Sequence, residues 1–297
     1  MLIQDLTEQP FGKSVRVFEV YPQTIDQLYK AGSVPLEKGT FPVYPNQPLI
    51  LKAGQQSALA LVSRDGNTIL RAEEDLSYFK IRGRNKEQIL MFNLLSNPEI
   101  RCVVVTGPAG TGKSLCLGAY ALSQVFENAN HSKLLLSKPL ETVGRGRFLG
   151  AVPGTMDDKF SPFLLSFTHM FEGLVGANGA SYISTMMDRG VIEFVPLELM
   201  RGASFRNSVV WYDEAQSIDA YEMETLGSRI DDHGHSQLIL SGDLNQRDRK
   251  IQKEKTGLSK LVHSNHFMRS PYTAHIHLTQ NERGAISQLF FDVFQGE

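Results

Sequence analysis

The sequence reads as an α/β protein whose parallel sheet is covered by helices and preceded by a small β-rich module. Three observations predict this. From Ile100 onward, apolar runs of strand length alternate with amphipathic stretches of helical length, the pattern of a doubly covered parallel sheet. Before that point, short alternating runs are separated by Pro, Gly and Asn, the pattern of strands joined by tight turns. Finally, VVVTGPAGTGKS at 103–114 breaks from a valine run into a glycine-rich turn, which marks a strand-to-helix junction.

In the first eighty residues, SVRVFEV, LILK, SALALV and RDGNTILRA, with its central Asp65-Gly66, predict short antiparallel strands around Pro-rich FPVYPNQP. Further on, IRCVVVT, KLLLS, VIEFV, NSVVWY and SQLILSG read as buried strands, HIHLT as a late strand, and KSLCLGAYALSQVF, SYISTMMDR and AYEMETLGSRI as helices. Two units are expected, a β module over 1–80 and an α/β unit over 81–297.

At 297 residues and 41% hydrophobic content the chain can bury a sizeable core. No window approaches the roughly eighteen uninterrupted apolar residues of a membrane span. MLIQDLTEQP lacks the basic and then apolar start of a secretion signal. A cytoplasmic protein with no membrane partner is therefore expected. The formal charge of −2 excludes a surface that coats polyanions wholesale but allows a local basic track. The densest one, RDRKIQKEKTGLSK at 247–260, reads most simply as a solvated face. Cys102 and Cys116 have neither CxxC nor zinc spacing and read as small core residues.

Gly107, Pro108, Ala109, Gly110, Thr111, Gly112, Lys113 and Ser114 fit G-x-x-x-x-G-K-[ST], followed by Leu115. The glycines let successive N–H groups point into an anion cradle, Lys113 reaches the β and γ phosphates, and the Ser114 hydroxyl is a magnesium ligand. A helix starting at the motif adds its positive dipole end. NSVVWYDEAQS puts Asp213 and Glu214 at a buried strand's tip. Asp213 there suits magnesium, and Glu214 suits polarising an attacking water. The pair favours hydrolysis over transfer to a bound hydroxyl. Gln216 stands near enough to sense the γ-phosphate. SQLILSGDLNQRD ends a second strand in Gly242 and Asp243, with Gln246 as a further γ-phosphate sensor.

Together these stretches resemble the PhoH-like family, P-loop ATPases related to superfamily 1 helicases. VYPNQPLILKAGQQSALALVSRDG at 43–66 is similar to the β segment ahead of the ATPase core in larger members. RGRNKEQ at 82–88 resembles the family's RN-x-EQ motif, which implies Gln88 as an adenine contact with Arg84 and Asn85 beside it. KPLETVGRGRFLGAVPG, RGVIEFVPLELMRG, DEAQ, SGDLNQRD and LTQNERGAISQLF are similar in turn. The resemblance covers about 43–294 and implies a RecA-like P-loop NTPase core, ATP and Mg2+ as cofactors, and homo-oligomeric rings, hexamers in form. Larger relatives carry a PIN-type nuclease ahead of the β segment. Roughly forty residues cannot hold one, so nuclease activity is not implied. Leu244 stands where Pro is common and Gly284 where Ser is usual. Trp211 and Tyr212 replace aliphatics, which reads as a packing change without bearing on Asp213 or Glu214.

Such ATPases gain from an arginine that meets the γ-phosphate. Arg283, on the family's closing arginine and just after HIHLT, is the leading candidate, ahead of Arg201, Arg145 and Arg147. Single-stranded RNA or DNA is an expected partner, with GRGRFLG and the 247–260 track as phosphate contacts and Phe148, Phe160 or Phe163 as stacking groups. The same aromatics also suit a core. His233 with His235, and His275 with His277, lack a third metal ligand at sensible spacing. The expected activity is magnesium-dependent ATP hydrolysis coupled to helicase or remodelling work. The alternative is an ATP-gated protein-interaction switch, and a small-molecule kinase is disfavoured by Glu214.

Overall fold

The computed structural model describes residues 2–7, 12–36, 42–139, 156–200, 204–231, 235–246, 256–282 and 284, with side chains of 156–164, 198 and 199 left out. In chain order the elements begin with strands β1 (Leu2–Asp5) and β2 (Arg16–Val20), helix α1 (Pro22–Ala31), and β3 (Ser33–Pro35). Strands β4 (Pro48–Ala53), β5 (Gln56–Val62) and β6 (Thr68–Arg71) follow, then the hairpin of β7 (Ser77–Tyr78) and β8 (Ile81–Arg82). Next come α2 (Lys86–Ser96), β9 (Cys102–Thr106), α3 (Lys113–Phe126) and β10 (Lys133–Ser137). Beyond them are α4 (Met156–Val175), α5 (Gly179–Asp188), β11 (Ile192–Phe194) and β12 (Ser208–Tyr212). The remaining elements are α6 (Ala220–Gly227), β13 (Gln237–Gly242), α7 (Gly257–Val262), α8 (Asn265–Arg269) and β14 (Thr273–His277).

Two sheets organise them. The first runs β1-β2-β4-β5-β6-β3 and the second β11-β10-β12-β13-β9-β14. All five pairings in the second sheet are parallel. Its strands are apolar on both faces because helices cover both, so they read as continuous runs. One face packs Val103, Val105, Trp211 and Ile239 with α2, α3 and α4, and the other packs Val104, Val210, Tyr212 and Leu240 with α6, α7 and α8. Among the described residues, no helix is long and apolar enough to cross a membrane.

The first sheet departs from expectation in two ways. It is mixed, since β2 pairs with β4 in parallel while its other pairings are antiparallel. The parallel step follows from α1, which sequence reading missed. A crossover of this length reverses the chain between parallel strands, which a tight turn cannot do. The helix is marked by Pro22 at its first turn and Gly32 at its end, in the left-handed conformation at φ 75°. Ile25 and Leu28 pack it onto the sheet.

The first sheet is joined to the second by buried polar contacts as well as apolar ones. Leu59, Ala72 and Tyr78 belong to the same apolar cluster as Val103 and Trp211. Lys13 is fully buried and its Nζ donates to Ser270 O at 2.8 Å, Thr273 O at 2.7 Å and Thr273 Oγ1 at 3.2 Å. Burial pushes its amine down to about 7, while three acceptors around one nitrogen suit the three N–H bonds of the ammonium. Asn46 Nδ2 donates to Pro271 O at 2.9 Å and Thr273 O at 3.1 Å, so both groups hold the start of β14.

Removing the amine takes the Lys13 donor from the Ser270 and Thr273 carbonyls and leaves a cavity where the buried side chain stood. Lys13→Ala is therefore expected to cost about 2–4 kcal/mol in urea unfolding. The exposed Lys52→Ala serves as control and should change stability by less than roughly 0.5 kcal/mol. Equal effects of the two would contradict the docking role of Lys13.

Candidate nucleotide site

Parallel strands end on one side of their sheet, and that side is where an open α/β sheet holds ligands. Here β9 and β13 register Thr106 with Gly242, and β14 registers His277 with Thr106. Their ends stand level. A cleft of about 620 Å³ opens above them, lined by Ala109 to Cys116 except Thr111, by Asp213, Glu214, Asp243 and Gln246, and by Lys80 to Arg84, Gln88 and Glu282.

The glycine-rich loop follows β9, and α3 begins at Lys113 as its sequence predicts. Gly107 has φ 145°, and a Cβ there would stand 2.2 Å from Leu278 O. Gly112 has φ 81°, and its Cβ would stand 2.7 Å from Gln88 Nε2. Gly107 thus excludes a side chain on conformation and on space, while Gly112 disfavours one on conformation and would have to displace the Gln88 amide. Lys113 Nζ donates to Gly107 O at 2.6 Å and Pro108 O at 2.7 Å, which folds the lysine back over the loop.

Asp213 and Glu214 lie one strand beyond β13 and reach the same cleft. Ser241 Oγ donates to Asp213 Oδ1 at 2.5 Å. Burial pushes the Asp213 carboxyl above the usual carboxylate range, against that hydrogen bond. Glu214 is exposed, with a left-handed backbone at φ 56°, a strained conformation for a non-glycine residue that turns the chain sharply at the strand end. Gln216 Nε2 donates to Glu214 Oε2 at 2.6 Å, and Gln216 Oε1 accepts the Asp243 N–H at 3.0 Å. Gln216 therefore ties Glu214 to the turn that carries Gln246, whose N–H donates to Asp243 O at 3.2 Å. Gln246 is exposed and lines the cleft.

At the other end, the RN-x-EQ residues each have a local task. Asn85 caps α2 by accepting the Gln88 N–H at 2.9 Å. Glu87 accepts the Thr279 N–H at 2.7 Å and its hydroxyl at 2.6 Å, fixing the chain as it leaves β14. Gln88 is buried, accepts the Arg84 N–H at 2.9 Å and donates to Thr111 O at 3.0 Å. Asn85 Nδ2 also donates to Glu282 Oε1, and the Glu282 N–H reaches Gly110 O at 2.9 Å.

Under the loop, Thr106 Oγ1 sits 2.8 Å from both His275 Nε2 and His277 Nδ1. The His277 N–H donates to Ser14 Oγ at 2.7 Å, so the chain just before the first sheet's β2 touches the same group. The His275–His277 pair thus braces the strand that carries the loop. Burial pushes His275 down to about 3 and His277 down as well.

Several expectations fall elsewhere. Arg283, Arg201, Arg145, Arg147, Phe148 and most of the 247–260 track lie outside the described residues, and so does His233. Phe160 and Phe163 are placed by backbone alone, on α4. One expectation is corrected. Trp211 was expected to have no bearing on Asp213, yet its Nε1 donates to Ser241 Oγ at 2.7 Å, the hydroxyl that holds Asp213. Sequence reading also passed over Lys138, which follows β10. Its ammonium lies over the Phe167 ring at 5.6 Å, and burial lowers its pKa while Asp213 and Glu214 oppose the shift. Glu282 and Glu87 carried no signal beyond their place in motifs.

The residues fit a nucleoside triphosphate with magnesium. The loop's glycine cradle excludes side chains, a lysine stands in it, and hard oxygen donors are available from Ser114 and Asp213 on the cleft wall.

A parallel sheet whose glycine-rich loop and acidic strand end share one cleft defines a P-loop NTPase fold with a RecA-like core. The profile of the PhoH-like protein family matches residues 80–295, and the chain belongs to that family. It is 33% identical over 278 residues to Protein PhoH2 of Thermobispora bispora, covering 93% of this chain and 61% of that protein. A PhoH-like protein of Bacillus subtilis is 33% identical over 142 residues, covering 48% of this chain and 42% of the relative. The chain thus spans about three fifths of the length of the PhoH2 relative. Among solved structures, Pif1 helicase from Candida albicans aligns with a TM-score of 0.35 at 17% identity, over 71% of this chain and 43% of that one.

The histidine pair generates a pH dependence. The unfolded chain takes up protons on these imidazoles below about 6.5, whereas folded His275 stays neutral down to about 3. Stability from this source is complete above about 6.5 and is lost as pH falls, at up to about 1.4 kcal/mol per pH unit per group. Urea midpoints should fall between pH 7 and pH 5, and His275→Gln should flatten that slope. An unchanged slope would contradict the burial of a neutral imidazole.

Proposed function

We propose that this chain binds ATP with magnesium in the cleft, hydrolyses it, and uses the cycle to move or remodel single-stranded RNA or DNA. One observation carries the reading. The phosphate loop, the Asp213–Glu214 pair and the Gln246 turn, separated by about one hundred and thirty residues, line a single cleft at level strand ends.

In this reading the Gly107–Gly112 amides and Lys113 hold the phosphates, and Gln88 with Asn85 borders the base. Lys113 leaves its loop carbonyls for the phosphate oxygens. Ser114 and Asp213 hold magnesium, which when bound neutralises charge across the phosphates. Glu214 positions the attacking water and accepts its proton, as the bond from the γ-phosphorus to the leaving oxygen breaks. Gln246 responds to loss of the γ-phosphate, and the Gln216 link passes that movement to Glu214. Arg283 supplies charge in the transition state, from the same chain or from a neighbour in a hexameric ring. One core in residues 81–297 needs such a neighbour to grip a strand on two sides, with the module over 1–80 docked behind it.

A second reading, an ATP-gated interaction switch, is favoured by the Thr106–His277–Ser14 chain of contacts, which links the loop strand to the segment leading into β2.

Steady-state hydrolysis separates the two. Wild type should hydrolyse ATP faster with single-stranded RNA or DNA, and Glu214→Gln should lower turnover by about 10²- to 10⁴-fold. Hydrolysis indifferent to both strands would favour the switch. Full turnover in Glu214→Gln would overturn its assignment as the base.

A further inference from the structure

Trp211 is the chain's one tryptophan and is fully buried in the strand that ends in Asp213. Side chains at i and i+2 of a strand share a face, so Trp211 stands on the Asp213 side of β12. Register pairs Trp211 with Ile239, which puts Ser241 diagonally opposite, within reach of a large ring. The indole Nε1–H donates to Ser241 Oγ at 2.7 Å, and Ser241 Oγ donates to Asp213 Oδ1 at 2.5 Å. The Phe167 ring on α4 packs against the indole in a T-shaped arrangement, with ring centroids 5.1 Å apart and planes at 80°.

We infer that Trp211 is a positioning residue for Asp213, acting through the Ser241 hydroxyl. The inference rests on the reading of Asp213 as the magnesium-side carboxylate. Proton count sets the direction of this chain of hydrogen bonds. An indole N–H can only donate, so it takes a lone pair of Ser241 Oγ and leaves the hydroxyl's single proton to point elsewhere. That proton goes to Asp213 Oδ1. Without the indole donor nothing in this chain of hydrogen bonds directs the hydroxyl proton to Asp213 Oδ1, and the carboxylate is held less firmly. Donor, hydroxyl and carboxylate also polarise one another in series. A phenylalanine would fill much of the same space, so packing alone does not require the N–H.

The test compares affinity for a non-hydrolysable ATP analogue with magnesium and with EDTA. Wild type should bind more tightly with magnesium. Trp211→Phe should reduce that magnesium-dependent gain about tenfold, the scale of one hydrogen bond in a charge-assisted chain, while affinity in EDTA stays the same. Ser241→Ala should do likewise, and the double variant should lose no more than Ser241→Ala alone. Equal weakening in both conditions, or additive losses, would reduce Trp211 to packing and overturn the proposal. A wild type with no magnesium-dependent gain would overturn the reading of Asp213 itself, a different result. Should Trp211→Phe not fold, Ser241→Ala keeps the indole as a reporter. Its emission should lose the magnesium-dependent change that wild type shows with the analogue, and a retained change would overturn the proposal.

Discussion

The parallel pairing of β9 with β13 on one side and β14 on the other decides where the glycine-rich loop and its neighbours can stand. Parallel strands leave their sheet in the same direction, so the loop after Thr106, the turn after Gly242 and the chain after His277 emerge together. Each then needs the others. Gly107 has no room for a side chain because Leu278 passes over it, and Gly242 has none because Gln216 lies against it, 2.4 Å from where a Cβ would be. The chain leaving β14 crowds Gly107 and the turn after β12 crowds Gly242, and glycine is the residue that lets these exits meet.

The same closeness forces polar groups into the interior, where each must find a partner or cost about 1–3 kcal/mol. Thr106 with its two histidines, Gln88 between Arg84 and Thr111, and Trp211 with Ser241 and Asp213 are three solutions of one kind. Each is a short chain in which a buried donor fixes the orientation of the next group. Together they leave the loop, the start of α2 and the Asp213 carboxylate with little freedom, so the groups on the cleft wall are fixed in advance of any ligand. Lys13 extends the pattern to the first sheet, where a buried cation seals the junction at β14.

Much of this was legible in the sequence. Apolar runs located β9 to β13, HIHLT marked β14, and the lysine after the last loop glycine marked the first residue of α3. The acidic strand tip and the glycine-rich loop were readable because their chemistry constrains both residue type and spacing. What escaped depends on contacts between distant residues. Pro22 and Gly32 bracket α1, but a ten-residue helix amid strands is hidden by the stronger alternation around it. Trp211 read as packing because nothing in a linear sequence shows that Ser241 would stand diagonally across from it. Lys13 stands in no apolar pattern or motif that announces its burial. Lys138 came with no motif that tied it to the Asp213 and Glu214 strand end.

Equilibrium titration calorimetry of ATP with magnesium, on wild type and on Lys113→Ala, tests the central claim most directly. One ATP per chain, with affinity lowered about a hundredfold by the substitution, as expected for loss of a charge-assisted phosphate contact, is the predicted result. Equal affinity in the two proteins would contradict the assignment of this cleft as the nucleotide site.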